Sequence, residues 1–193
     1  MSKPLDLAIL VSCTKESTAG AVIAEWLCGY AEDLGDFEIE RLDLTDWELP
    51  ATPTRKPDPA AQEVAADLSA RIERADAFVI VTPEYNHSFP ALLKIVIDWN
   101  YTQWRTKPVA YVSYGGRGGG IRAVEQLRQV FGELHAVSLR DGMSFHGPGD
   151  YQHLSDEMAD ASSARIAAKA MFEQLSWWGN ALSEARIKRP YGN

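Results

Sequence analysis

The stretch Ala77-Phe78-Val79-Ile80-Val81-Thr82-Pro83-Glu84-Tyr85-Asn86-His87-Ser88-Phe89-Pro90 decides how the rest of the chain is interpreted. Its β-branched start predicts a buried strand, and the apolar spacing of residues 91–99 predicts a helix. The segment between them is therefore a loop at the carboxyl end of a central strand, where open α/β sheets bind ligands. Pro83 and Pro90 should stiffen and bracket it. We expect the backbone N–H groups of residues 84–88 to lack partners within the loop, which would leave them free for a planar heteroaromatic ligand.

The amino-acid composition limits the classes of protein to which this chain could belong. The 193 residues are 46% apolar and 24% charged, as in an ordinary globular domain, and the formal net charge is −8. Nucleic acids and anionic membranes require a basic surface, so we expect neither as a partner. The amino-terminal residues lack the pattern of a signal peptide, and the only cysteines are Cys13 and Cys28. A reducing, cytoplasmic location is the expectation.

Strand and helix patterns alternate five times along the chain. This alternation predicts an α/β fold in which a five-stranded parallel sheet, in the order 2-1-3-4-5, carries helices on both faces. With no repeat and no linker, residues 1–193 should form a single domain. Besides the central strand, we predict strands at residues 5–11, 37–44, 108–113 and 136–139, a loop at residues 142–151 and a last helix at residues 155–182.

Three loops should meet at the point where this strand order reverses, between the first and third strands. The first loop, residues 12–20, supplies hydroxyl groups, Lys15 and a helix amino terminus, which together suit a phosphate; a simple helix cap at Ser17 or Thr18 is the alternative. The glycine-rich loop, residues 114–120, lacks the G-x-G-x-x-G spacing of a dinucleotide site. Its glycines either let a flat ligand approach the backbone or form a flexible turn.

Other chemical groups are weaker candidates. His87 is either a ligand contact or an exposed loop residue, and Cys13 is more simply a small packing residue than a reactive thiol. The spacing of cysteine, histidine and carboxylate residues predicts no metal site, and no nucleophile elbow is present. The tryptophans cover either a dimer contact or a pocket, with core packing as the simpler interpretation: Trp99, Trp104, Trp177 and Trp178.

The loops resemble those of the NADPH-dependent FMN reductases, a flavodoxin-like family. The resemblance extends from about Leu7 to Phe145 and is most specific in residues 82–90 and in Ser113-Tyr114-Gly115-Gly116. At the first loop this chain has Ser12-Cys13-Thr14-Lys15, where the family commonly has G-S-T-R; Lys15 keeps the charge without the forked geometry of arginine.

The resemblance implies a cofactor, a reaction and a set of binding residues. The cofactor would be FMN, with NADPH or NADH as the hydride donor and a small molecule, or a partner oxygenase, as the electron acceptor. No side chain is expected to be catalytic, because the flavin carries the chemistry. A homodimer, or a tetramer, would be the assembly. The implied cofactor-binding residues are Ser12, Thr14, Lys15, Ser17, Thr18, Ala19, Pro83, Glu84, Tyr85, Asn86, Ser113, Tyr114, Gly115 and Gly116.

Two functions remain open at this point. One is an FMN-dependent oxidoreductase that reduces free flavin, a quinone, an azo compound or a partner oxygenase. The other is a flavodoxin-like electron carrier, or a binding module with weak or no FMN and no turnover. A carrier would hold its flavin tightly and react poorly with NAD(P)H, and a binding module would stay colourless after FMN is added.

Overall fold

Six strands form one parallel sheet in the order β2-β1-β3-β4-β5, with β6 also paired to β4. This computed structural model describes residues 3–13, 18–54, 56–152, 154 and 163–192. The predicted strand order and three-layer arrangement are confirmed. The strands are β1 (Leu5–Val11), β2 (Phe37–Asp43), β3 (Ala77–Pro83), β4 (Pro108–Gly115), β5 (Val137–Ser138) and β6 (Met143–His146).

The described helices cover both faces of the sheet. They are α1 (Thr18–Leu34), α2 (Pro59–Arg74), α3 (Ala91–Trp99), α4 (Ile121–Glu133), the short α5 (Pro148–Tyr151) and α6 (Ser163–Lys188). Helix α2 begins as its sequence dictates, because Asp58 accepts a hydrogen bond from the Ala61 N–H and Pro59 occupies the first turn. None of these helices is both long and apolar enough to cross a membrane.

Alternate residues of the central strand fill two separate cores. Val79 and Val81 pack with α1 and α6, whereas Phe78 and Ile80 pack with α2, α3 and α4. Burial on both faces explains why β3 is a continuous apolar run without polar alternation. Trp104 lies in the second core, where its ring centroid is 4.8 Å from that of Phe78. Core packing, the simplest of the interpretations of the tryptophans, therefore holds for this one.

The far edge of the sheet differs from the prediction. A fifth strand at residues 136–139 is shorter than expected, and the predicted loop at residues 142–151 is wrong because it contains β6 and α5. The chain leaves the sheet after β5 and returns at Gly142, where a Cβ would lie 2.5 Å from the Tyr111 carbonyl oxygen. Met143 and Phe145 are buried and alternate with polar residues, which is a strand pattern in a run too short to stand out.

The last helix ends later than predicted, at Lys188 instead of residue 182. Arg186 holds this end on the body of the protein: its guanidinium donates to the Thr106 carbonyl and pairs with Asp76, both at 2.6 Å. The predicted start of the helix, at residues 155–162, lies outside the described residues.

Lys107 is a buried cation at the amino-terminal edge of the sheet. Its Nζ donates hydrogen bonds to the carbonyl oxygens of Ile72 (3.0 Å) and Glu73 (2.7 Å) in the last turn of α2. The residue is only 5% exposed, and burial lowers the pKa of its ammonium from 10.5 to about 8. The charged form is therefore less favourable in the folded protein than in the unfolded chain.

This burial predicts a pH dependence of stability. Between about pH 8 and 10.5 the unfolded chain binds more protons at Lys107, so the free energy of unfolding should rise with pH in that window. Relative to Lys107→Met, the wild-type protein should gain up to about 3 kcal/mol across the window, as measured by urea unfolding at several pH values. A wild-type-minus-variant difference that does not change with pH would contradict this account.

Candidate functional site

The carboxyl ends of β1, β3 and β4 lie together at one edge of the sheet. Val11 is in register with Val81, and Pro83 is in register with Tyr114. Directly beyond these pairs, the Ser12 N–H donates to the Val81 carbonyl at 3.0 Å and the Glu84 N–H donates to the Tyr114 carbonyl at 3.1 Å. The loops that follow these three strands therefore start within one or two strand spacings of one another.

The loop after β3 is a tight turn. The Tyr85 and Ser88 backbones exchange hydrogen bonds at 2.8 and 3.0 Å, and Asn86 and His87 have φ values of 50° and 72°. Two successive left-handed residues make this a type I′ turn. The expectation that the N–H groups of residues 84–88 lack partners within the loop is wrong for Tyr85 and Ser88, which bond to each other, and the Glu84 N–H is bound to β4. Among the described residues, only the Asn86 and His87 N–H groups of this turn have no acceptor.

Gln126 on α4 holds this turn from the side. Its Nε2 donates to the His87 carbonyl at 2.8 Å, and its Oε1 accepts from the Ser88 hydroxyl at 2.6 Å. One side-chain amide thus satisfies two groups of the turn. The imidazole of His87 is exposed, and in the described part of the chain it makes no hydrogen bond.

Glu84 joins the turn to the start of α4. Its side chain is only 7% exposed, and its carboxylate pairs with the Arg122 guanidinium and accepts from the Arg122 N–H at 3.3 Å. A carboxylate at a helix amino terminus is also favoured by the helix dipole. The loop after β3 and the start of α4, which follows the glycine-rich loop, are therefore held together by an ion pair that is shielded on the glutamate side.

The glycine-rich loop after β4 is held by its own hydrogen bonds. Gly119 and Gly120 have positive φ values of 54° and 83°, and the Gly119 carbonyl accepts from the Ser113 hydroxyl at 2.8 Å. Gly116 is different, because a Cβ added there would meet no heavy atom within 4 Å. A Cβ at Gly115 would come no closer than 3.3 Å to another atom, the Gly120 nitrogen. The backbone at Gly116 is therefore open on the side where a side chain would stand, whereas the same side of Gly115 is packed against Gly120 and Glu84.

The side chain of Tyr114, at the end of β4, lies in the core of the protein. The residue is 7% exposed and packs in the core beneath α1. Its hydroxyl and the Cys13 Sγ both lie beside Gly20, where a Cβ would be 2.8 and 2.6 Å from them. Its side chain therefore supports the base of the first loop, and Cys13 is a buried packing residue there.

The first loop is only partly described. Ser12 is buried, and its hydroxyl donates to the Val81 carbonyl at 3.1 Å, while Ala19 is buried in the first turn of α1. The other residues predicted to bind phosphate lie outside the described part of the chain: Thr14, Lys15, Ser17 and the side chain of Thr18.

Four residues near the site were given no role from the sequence: Arg122, Gln126, Ser144 and His146. The i, i+4 spacing of Arg122 and Gln126 places both on one face of α4, a signal that could have indicated a common partner. Ser144 and His146 were missed because β6 was not recognised.

Comparison with known proteins identifies the family. The sequence model of the NADPH-dependent FMN reductase family matches residues 6–148, which is most of the chain. The chain belongs to this family. The family is one of flavin-dependent oxidoreductases, so the predicted class of protein is confirmed at that level.

Two relatives are similar to this chain over about two thirds of its length. An NAD(P)H-dependent FMN reductase of Schizosaccharomyces pombe is 37% identical over 133 residues, covering 66% of each chain. An NADPH:quinone oxidoreductase of Arabidopsis thaliana is 33% identical over 137 residues, covering 68% of this chain but only 61% of the plant protein. The matches thus span less than two thirds of these relatives' lengths.

A solved structure supports the fold. FerB of Paracoccus denitrificans, a flavoenzyme NAD(P)H:(acceptor) oxidoreductase, superposes with a TM-score of 0.64 at 22% identity, covering 91% of this chain and 98% of FerB. At this identity the similarity bears on the fold alone, and it confirms the predicted flavodoxin-like arrangement.

The ion pair between the loops gives a testable prediction. Replacing Glu84 with Gln keeps its shape but removes the charge that Arg122 and the start of α4 stabilise. The free energy of unfolding should fall by about 1–2 kcal/mol in urea titrations. Glu125→Gln is a matched control, because its carboxylate is 73% exposed and contacts Arg128 at 3.4 Å, so its loss should change stability by less than about 0.5 kcal/mol. Equal effects of the two substitutions would contradict a structural role for Glu84.

Proposed function

We propose that this protein is an FMN-dependent oxidoreductase that takes hydride from NAD(P)H and passes two electrons to a small-molecule acceptor. We place the ring in the opening between the loops that follow β3 and β4, and the observation that carries the proposal is that these loops start side by side, where Pro83 and Tyr114 are in register. In the described part of the chain, the Asn86 and His87 N–H groups of the turn lack acceptors, and no heavy atom lies within 4 Å of the Cβ position at Gly116. A planar ring with carbonyl and nitrogen acceptors fits such a site, and family membership identifies the ring as isoalloxazine.

The residues proposed to contact the ring come from both loops. Pro83, Glu84, Tyr85 and Asn86 lie on the side of the turn, where the N–H donors of Asn86 and His87 are available. Gly115 and Gly116 form the other side, while Ser113 and Tyr114 support this loop from below. Glycine at position 116 allows the backbone to approach the ring without a side chain between them, and glycine at position 115 allows the loop to pack closely on Gly120.

The FMN phosphate is assigned to the first loop. Helix α1 begins at Thr18, inside the stretch predicted as the first loop, and the amino terminus of a 17-residue helix favours an anion through the N–H groups of its first turn. Ser12 and Ala19 bracket the loop, and Thr14, Lys15, Ser17 and Thr18 supply hydroxyls and one positive charge. In a chain with net charge −8, Lys15 would be a local attraction for the phosphate.

The side chains present indicate which part of the reaction the cofactor would carry and which part the protein would carry. Bound FMN would accept hydride from a nicotinamide and deliver two electrons to an acceptor such as free flavin, a quinone, an azo compound or a partner oxygenase. The protein's own groups would bind the cofactor, orient it through backbone N–H donors and keep one face accessible. None of the residues around the opening needs to act as an acid, base or nucleophile.

Compartment and assembly are further parts of the proposal. We place the enzyme in the cytoplasm, because Cys13 and Cys28 are unpaired thiols. We propose a single domain spanning residues 1–193 that assembles as a homodimer or tetramer. Trp177, at 64% exposure, is available for such a contact, whereas the fully buried Trp104 is not.

The function is tested by the visible spectrum of the purified protein after FMN is added and free flavin is removed. We expect a retained flavin band that bleaches when NADPH or NADH is added without oxygen and returns with a quinone. A retained band that NAD(P)H does not bleach would identify an electron carrier. No retained band and no saturable FMN binding would exclude a flavoenzyme.

A single variant tests the placement of the ring in the same assay. Gly116→Val adds a side chain where no heavy atom lies within 4 Å, so the protein should fold normally. The branched side chain would fill the opening and weaken FMN binding by roughly ten-fold or more. Gly132→Val on α4 makes the same change where a Cβ is equally unhindered, and it should leave FMN affinity unchanged. Equal FMN affinities in the two variants would contradict the placement.

A further inference from the structure

The carbonyl group of Gly119 is held by two serine hydroxyls from neighbouring strands. Ser113 on β4 and Ser144 on β6 are in register, and each hydroxyl donates to the Gly119 oxygen at 2.8 Å. A backbone carbonyl can accept two hydrogen bonds, so both fit at once. The middle of the glycine-rich loop is thereby fixed to the two strands below it.

His146 adds a second layer to this contact. Its Nε2 lies 3.2 Å from the Ser144 hydroxyl, and its Nδ1 lies 3.3 Å from the Arg117 carbonyl. With the single Ser144 proton donated to Gly119, the Ser144 oxygen accepts from His146 Nε2–H; in that tautomer of the neutral imidazole, Nδ1 has no proton and only lies near the Arg117 carbonyl. The His146 backbone N–H in turn donates to the Asp150 carboxylate at 2.6 Å, which fixes the residue at the end of β6.

The fit around Gly119 is too close for a side chain. A Cβ at Gly119 would lie 2.6 Å from His146 Nε2, and a Cβ at Gly120 would lie 2.6 Å from the Ser113 Cβ. The left-handed backbone at both glycines therefore lies directly on Ser113, Ser144 and His146. The shape of the loop between Gly116 and Gly120 depends on groups that belong to β6.

We infer that Ser144 and His146 are positioning residues that hold the glycine-rich loop in the shape that receives the flavin ring. The inference rests on the proposed function, since it assigns the loop to FMN. A loop already ordered by the protein loses less conformational entropy when the ligand binds, so the ligand binds more tightly. The strand that carries the two residues thus serves the site without touching the ring.

Two alanine variants separate this role from general stability. Ser144→Ala removes one hydroxyl bond to the loop. Ser138→Ala removes a comparable bond, 2.7 Å to the Tyr111 hydroxyl, from the neighbouring edge strand. Amide hydrogen exchange of Gly119 and Ile121, whose N–H groups bond to Gly116 and Gly118, reports on the loop without FMN. FMN titration and urea unfolding complete the comparison.

We expect Ser144→Ala to speed amide exchange in the loop and to raise the Kd for FMN about five-fold, the net effect of one hydrogen bond. Ser138→Ala should change neither, although both variants should unfold at similar urea concentrations. His146→Ala, at an exposed residue, provides a second variant with the same expected direction if Ser144→Ala folds poorly.

The outcomes that overturn the inference are distinct from failure of the proposed function. If Ser144→Ala and Ser138→Ala show the same loop exchange, the serine does not hold the loop. If the loop exchanges faster but the Kd for FMN is unchanged, the contact does not serve the site. If the wild-type protein binds no FMN, the proposed function is wrong, whatever the exchange rates show.

Discussion

The parallel pairing of β1, β3 and β4 is the constraint on which the rest of the structure depends. Strands that run in the same direction must end at the same edge, so the register of Val11 with Val81 and of Pro83 with Tyr114 brings three loops together. Hydrophobic burial on both faces of β3 enforces this register, because each residue faces one of two distinct cores. The site is therefore a consequence of core packing.

The polar groups at the amino-terminal and carboxyl-terminal edges of the sheet differ in whether they have partners within the described part of the protein. At the amino-terminal edge, Lys107 and Arg186 are bound to backbone carbonyls and to Asp76, so these cations are satisfied by the protein itself. At the opposite edge, the turn leaves the Asn86 and His87 N–H groups without an acceptor among the described residues. Both residues are exposed, so these two donors can bind water in the free protein and stay available to a ligand that replaces it.

The sequence predicted those features that depend on local pattern. The β-branched run before Thr82 was a strand, and the prolines at 83 and 90 did mark the ends of its loop. Features that depend on contacts between distant residues were not predictable. Three such contacts join segments that are tens of residues apart: the hydrogen bond from Gln126 to His87, the packing of Tyr114 in the core with α1, and the pairing of β6 with β4. A four-residue strand such as β6 is also too short for its periodicity to exceed chance.

The most direct test of the central claim is an FMN titration followed through the backbone amide resonances of the protein. The account predicts that one saturating ligand shifts all three loops together: Ala19 in the first, Asn86 and His87 in the second, and Gly115 and Gly116 in the third. The amides of Thr106 and Lys107, at the opposite edge, should not move. Saturable shifts confined to one loop, or centred on Lys107, would contradict a single flavin site at the carboxyl edge of the sheet.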